Sequence, residues 1–409
     1  MSIINEIEFT IFDLVCDFFK KSNDYNGIPS YNLNLPYTEE QLVCSIISLI
    51  DKDKISILTS EDDENYYIIR FGFKSKMEQI EFLINNGLRV DFCLYPSNYY
   101  LSLENINKKD KYYPFKHLLR LGHPQLKMKY FEWDILHKYH SDPRYNFNFY
   151  DYQGSIISTE QIKKEQNIIL NSFGVGRDEN NNYVVAVFLK DLANQPSNIQ
   201  IEWEHKLINN QEKCNITEYY IRNHLHYCWN FPNTIYSSII QEITNINLLT
   251  KEIYQEQFFL HEYENERPID FNMIYIPTKK AYLNYILEFE KIVINNINIK
   301  FLKRNNVNTR KQEGEALGSI ALLSTFIKEI KPEIEQQIIK PLKNLRKLRQ
   351  TPAHKIEKDT YDQKYFDIQH SITVEVFESL NLLRKVLQLN PKVVNYEIKY
   401  KQTENFIII

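Results

Sequence analysis

At 409 residues, with 43% apolar and 25% charged side chains, the chain has room for two or three domains with ample core. A net charge of −4 excludes attraction of nucleic acid by the overall field, so any such partner needs a local basic patch. Nine glycines without a Gly-Lys-Ser/Thr loop exclude an NTPase, and five cysteines, odd in number and without CxxC spacing, exclude a disulfide framework or a zinc knuckle.

The N-terminus carries acids where a signal peptide is basic, and no apolar run reaches the roughly eighteen residues of a membrane span; a cytoplasmic protein with no membrane partner is expected. The apolar spacing of Ile7, Ile11, Leu14, Val15 and Phe18 predicts a helix over residues 6–20. Thr38 heads a capping box with Gln41, starting a helix through Ile50, and β-rich runs at Ile55–Thr59 and Tyr66–Phe73 flank the acidic turn Glu61–Glu64. Helix, helix and a two-stranded wing is the order of a winged helix, so residues 1–97 read as a winged-helix-like α+β region. Further elements are a helix over Lys74–Asn86 and a strand over Arg89–Tyr95.

Residues 98–277 read as a central α+β domain with an antiparallel sheet. The pattern predicts helices over Lys129–Tyr139 and Thr159–Ser172, a turn from Gly174 to Asn182, a buried strand Tyr183–Leu189, and strand alternation through Ile199, Ile201, Trp203 and Leu207. Helices recur at Asn215–Trp229, Thr234–Asn245 and Leu249–Glu262. Two histidine groups offer metal ligation against a packing role: Asp134, His137 and His140 at steps of three, and His224, His226 and Cys228 in alternation. Neither is complete, and no metal or cofactor is expected. Gly174 and Gly176 suit a hairpin turn better than a phosphate loop, and Trp203 and Trp229 suit a core.

From Thr278 four long helical patterns follow: Tyr282–Lys303, Glu315–Ile330, Glu333–Arg349 and Asp362–Leu389. Ile368, Ile372, Val376, Leu380, Leu383 and Leu387 make a core stripe on the last, so residues 278–391 are expected to form an antiparallel four-helix bundle. Residues 392–409 alternate as a terminal hairpin. The fold class is therefore α+β and multidomain.

Lys340–Lys355, KPLKNLRKLRQTPAHK, holds six basic residues, no acid and one histidine. Ile334, Ile338, Leu342 and Leu345 set a core-facing stripe whose next step is Arg349, where the helix should stop; Thr351–Pro352 suits a restart, with His354 in its first turn. An arginine and a histidine across such a kink can converge on one phosphate, the first neutralising a phosphorane and the second titrating near pH 7. Here the chain resembles the HEPN domains, helical bundles whose RNase members carry Arg, four to six residues, then His; Arg349 and His354 match with four between. Gln350 stands where many members have Asn, Asp or His, and Pro352 within the motif is unusual.

The resemblance implies a metal-independent endoribonuclease in prokaryotic anti-phage defence, of the toxin or abortive-infection type. His354 would take the proton of a 2′-hydroxyl and Arg349 would stabilise the phosphorane, giving a 2′,3′-cyclic phosphate. It also implies RNA as substrate, a homodimer or partner subunit completing the cleft, and a phage-derived trigger. Lys343, Arg346, Lys347, Gln350 and Lys355 are the candidate RNA-binding residues. The other reading is a non-catalytic HEPN-like interaction or dimerisation protein, which the Gln350 and Pro352 departures favour.

Overall fold

The computed structural model describes residues 3–105, 110–225, 233–264, 267–268, 270–305, 317–350 and 358–407. The chain is α+β and divides into two compact units, residues 1–227 and 228–409.

The first unit begins with α1 (Ile3–Lys21), β1 (Ile28–Pro29), α2 (Glu39–Asp51), β2 (Ile55–Thr59), α3 (Lys76–Asn86) and β3 (Phe92–Pro96). The α2 cap is formed as its sequence requires: Gln41 N donates to Thr38 Oγ1, and Thr38 N donates to Gln41 Oε1. The three strands form an antiparallel sheet in the order β1-β3-β2. Ile7, Ile11 and Val15 of α1 and Leu42, Ile46 and Leu49 of α2 share one core with Ile55, Ile57, Phe92 and Leu94.

Tyr66–Phe73 is not the second strand of a wing. Its backbone groups are taken elsewhere: Ile69 N donates to the Gln125 side chain, Gln125 N donates to Ile69 O, and Ile68 N turns back to Asn65 O. The partner of β2 is instead β3, with Ile55 opposite Pro96 and Thr59 opposite Phe92.

Next come α4 (Asn98–Asn105), α5 (Pro114–Arg120), β4 (Met128–Glu132), α6 (Ile135–Ser141), β5 (Tyr145–Tyr150), β6 (Gln153–Ser158), β7 (Ile169–Arg177), β8 (Tyr183–Phe188), α7 (Leu189–Ala193), α8 (Ser197–His205), β9 (Asn215–Ile216) and α9 (Glu218–Leu225). The strands make one antiparallel sheet in the order β4-β8-β7-β6-β5, with β9 also on β7. All six residues of β8 are buried, as its apolar run requires.

Three expectations fail here, each through a misread period. Thr159–Ser172 is a loop leading into β7, because Ile168 and Leu170 are buried while Ile169 is exposed, a two-residue alternation. Ser197–His205 is helical because Ile199, Gln200 and Trp203 form one buried face, a pattern that the alternation of Ile199, Ile201 and Trp203 conceals. The helix expected over Lys129–Tyr139 starts only at Ile135, its first part being β4. Gly174 and Gly176 lie within β7 rather than in a turn. At Gly176 a side chain would strike the carbonyl of Asn215 on the adjoining β9, so the close approach of two backbones explains the glycine.

The second unit contains β10 (Asn233–Thr234), α10 (Ile235–Tyr254), α11 (Lys279–Val293), α12 (Ile299–Arg304), α13 (Ser319–Ile330), α14 (Glu335–Gln350), α15 (Lys364–Gln388) and β11 (Phe406–Ile407). The two helices expected over Thr234–Glu262 are one, α10, which packs along α15; α14 packs against α11, α13 and α15. Gln255, at φ +62°, ends α10 in the left-handed conformation. The expected Tyr282–Lys303 helix is broken into α11 and α12, with Asn298 capping the second through Lys300 N and Phe301 N. Ile368 lies off the core stripe of α15, at 38% exposed, while Gln369 is buried and bonds both Ile274 N and Asn272 O.

No terminal hairpin forms. Residues 390–396 turn, and β11 pairs in parallel with β10. The intervening chain is fastened to α10, where the Asn245 side chain exchanges hydrogen bonds with the backbone N–H and carbonyl of Tyr400. No helix among the described residues is long and apolar enough to cross a membrane.

Candidate functional site

Helix α14 carries the basic run. Ile338, Ile339, Leu342 and Leu345 are buried, which leaves Lys340, Lys343, Lys347, Arg349 and Gln350 on the exposed side and Arg346 between. Pro341 lies within the helix, where it removes one backbone donor. The helix ends at Gln350, as the stripe predicts, and its cations sit in the last turn, where the helix dipole favours them. Thr351, Pro352, His354 and Lys355 lie outside the described residues, as do His226, Cys228 and Trp229.

Two of the candidate residues converge on an acid that the sequence reading passes over. Glu290, on α11, has a side chain only 1% exposed. Arg346 Nε donates to its Oε1 at 3.2 Å, and Arg346 Nη2 donates to Ser319 Oγ at the start of α13 at 3.2 Å. Arg349 Nε stands 3.2 Å from Glu290 Oε2, an ion pair whose N–H is off the line to the oxygen. Arg346 and Arg349 keep 29% and 49% of their side-chain surface exposed, so the clamp is buried at the acid and open at the bases. Glu290 thus fixes one edge of each guanidinium and neutralises part of the basic run. Lys340 and Lys343 are exposed and make no ion pair among the described residues. The signal for Glu290 was available: it follows Tyr282, Ile286 and Phe289 on the buried face of α11, where an unpaired carboxylate is not tolerated.

The central histidines are held by packing. Asp134 Oδ2 receives Lys206 Nζ at 2.7 Å, and His140 meets the ring of Phe147 edge-on at 5.5 Å. Among the described residues no group of three or more His, Cys, Asp or Glu is arranged to hold a metal. His224 Nε2 lies 3.1 Å from Ser172 Oγ and 3.4 Å from Gln153 Oε1, while Ser172 Oγ donates to Tyr220 OH at 3.0 Å. The amide oxygen assigns the proton to Nε2, so the ring donates toward Ser172 and does not accept from it. This is the wrong polarity for a serine nucleophile and its base. Burial, then nearby Lys190, holds the His224 imidazole below its usual pKa. Trp203 is fully buried and donates from Nε1 to Tyr139 OH at 3.1 Å, a core aromatic.

Compared with protein-family models, curated proteins and solved structures, the chain matches none.

Proposed function

We propose that the helical unit is a HEPN-like, metal-independent endoribonuclease serving as an effector in prokaryotic anti-phage defence. His354 takes the proton of a 2′-hydroxyl and that oxygen attacks the adjacent phosphorus. The 5′-oxygen leaves and takes a proton from water, and Arg349 stabilises the charge developing on the phosphorane. The observation that carries this reading is Arg349 itself. It stands in the last turn of α14, half exposed, with its Nε edge anchored by a buried carboxylate on a neighbouring helix. Lys343, Lys347 and Gln350 on the exposed side of the same helix suit phosphate positioning. The four helices α11, α13, α14 and α15 suit a HEPN-like bundle, with α10 added along α15. The winged-helix likeness of the first unit goes no further than its order of helices and β2.

A second reading, a non-catalytic interaction or dimerisation protein, is favoured by the same clamp, because Glu290 offsets the charge of both arginines without any substrate. Purified wild type, Arg349→Ala and His354→Ala are incubated with RNA in EDTA. Cleavage by wild type alone, leaving 2′,3′-cyclic phosphate ends, supports the nuclease. RNA intact in all three, also in cells under phage challenge, leaves the interaction protein.

A further inference from the structure

A cavity of about 260 Å³ lies in the first unit beyond the end of β2, lined in part by Asp62, Asp63, Arg70, Phe71, Gly72 and Lys74. It is smaller than the roughly 300–1,000 Å³ of sites for drug-sized ligands, which suits a single ring system. Its walls are fixed by local bonds. Asp62 Oδ2 accepts from both Thr59 N and Thr59 Oγ1, and Asp63 Oδ1 accepts from Asn65 N.

The other carboxylate oxygens face cations. Asp63 Oδ2 is 3.1 Å from Arg70 Nε, with the two side chains only 4% and 7% exposed, and Asp62 Oδ1 pairs with Lys74. Neither oxygen has an aligned hydrogen bond, and Arg70 Nη2 is buried with no acceptor among the described residues. The site therefore holds an unmet donor beside two unmet acceptors. Its own charges cancel, and Glu61 and Glu78 act on Lys74 from nearby, so a bare anion gains little there. Phe71 is 70% exposed, its ring 6.0 Å from the Arg70 guanidinium, a free face for stacking. Gly72, at φ +113°, leaves open space where a side chain would stand.

We infer that this cavity binds a single nucleobase of the guanine type, read along an edge that presents an acceptor next to two donors. The carbonyl oxygen of the base accepts from Arg70 Nη2, its ring N–H and amino group donate to Asp63 Oδ2 and Asp62 Oδ1, and its face stacks on Phe71. The inference stands independently of the nuclease reading. It is tested by calorimetric titration of the full chain with guanosine, adenosine and inorganic phosphate. Saturable guanosine binding, with adenosine at least about tenfold weaker and phosphate silent, is expected. Phe71→Ala, at an exposed position that the fold does not need, should weaken guanosine roughly tenfold, and Arg70→Lys should erase the preference over adenosine. Equal binding of the two nucleosides, binding of phosphate in place of guanosine, or no binding at millimolar guanosine each overturns the inference.

Discussion

Glu290 Oε2 lies 3.2 Å from Arg349 Nε, and that one carboxylate, buried on α11, is also the acid that holds Arg346. A buried acid with two half-exposed bases is an asymmetric arrangement. Removing the acid releases two cations that can turn to solvent, whereas removing either base leaves the acid with the other.

Glu290→Gln is therefore expected to cost about 1–2 kcal/mol, less than the 3–5 kcal/mol of a fully buried pair, because the arginines are screened by water. Arg349→Ala should cost less still. Urea midpoints of the two variants check the order. If the nuclease reading holds, RNA cleavage falls about tenfold or more in Glu290→Gln, since the arginine loses its anchor, and by more in Arg349→Lys, which keeps charge but not the planar fork.

Glu242 makes the opposite case. Its side chain is fully buried on α10 and receives Arg384 Nε, Asn381 Nδ2 and Thr403 Oγ1, and Arg384 is only 7% exposed. Either Glu242→Ala or Arg384→Ala is expected to cost about 3–5 kcal/mol, because each leaves a stranded charge. Glu242→Leu with Arg384→Met should cost clearly less than the sum of the single changes, which a double-mutant cycle measured by denaturant unfolding reads directly.

Burial lowers the pKa of His123 and of His224, with neighbouring lysines adding to the effect. Both imidazoles bind a proton more readily in the unfolded chain, so folding of the first unit releases protons as pH falls below about 6.5. Stability is full above that value and declines toward pH 5.5, a window above the ordinary carboxylate range. The urea midpoint should drop across it, and His224→Gln should flatten the dependence. A midpoint unchanged from pH 7.5 to 5.5 would falsify the assignment.

Gln200 is fully buried, accepts from Phe115 N and Lys116 N, and donates to Ala193 O and Gln195 O. Gln200→Leu keeps the volume and strands four backbone groups, for an expected loss of about 2–4 kcal/mol. Hydrogen exchange should accelerate first at Phe115 and Lys116.

Elements with one strong local signal were legible in the sequence. The Thr38 cap, the stripe of α14 and the apolar run of β8 each follow from residues within a few positions of one another. What was not legible depends on distant partners. Tyr66–Phe73 has strand composition, yet Gln125 takes its backbone, and a single glutamine some fifty residues away leaves no local trace. Ile168 to Leu170 and Ile199 to Trp203 fit either period until the neighbouring layer is known. At the candidate site Arg349 was found from its stripe, but Glu290 was read as a solvated acid within an otherwise apolar face.

The fastening of residues 399–407 to α10 has a consequence for synthesis. Glu242 meets Arg384 and Thr403, which lie 142 and 161 positions further along the chain. While the ribosome is still making that stretch, α10 has emerged carrying a carboxylate and a row of amides whose partners do not yet exist. The helical unit can close only late in translation, so an unfinished chain exposes an open bundle to chaperones and proteases. A stalled or truncated product is thereby marked for removal before Arg349 acquires its mounting.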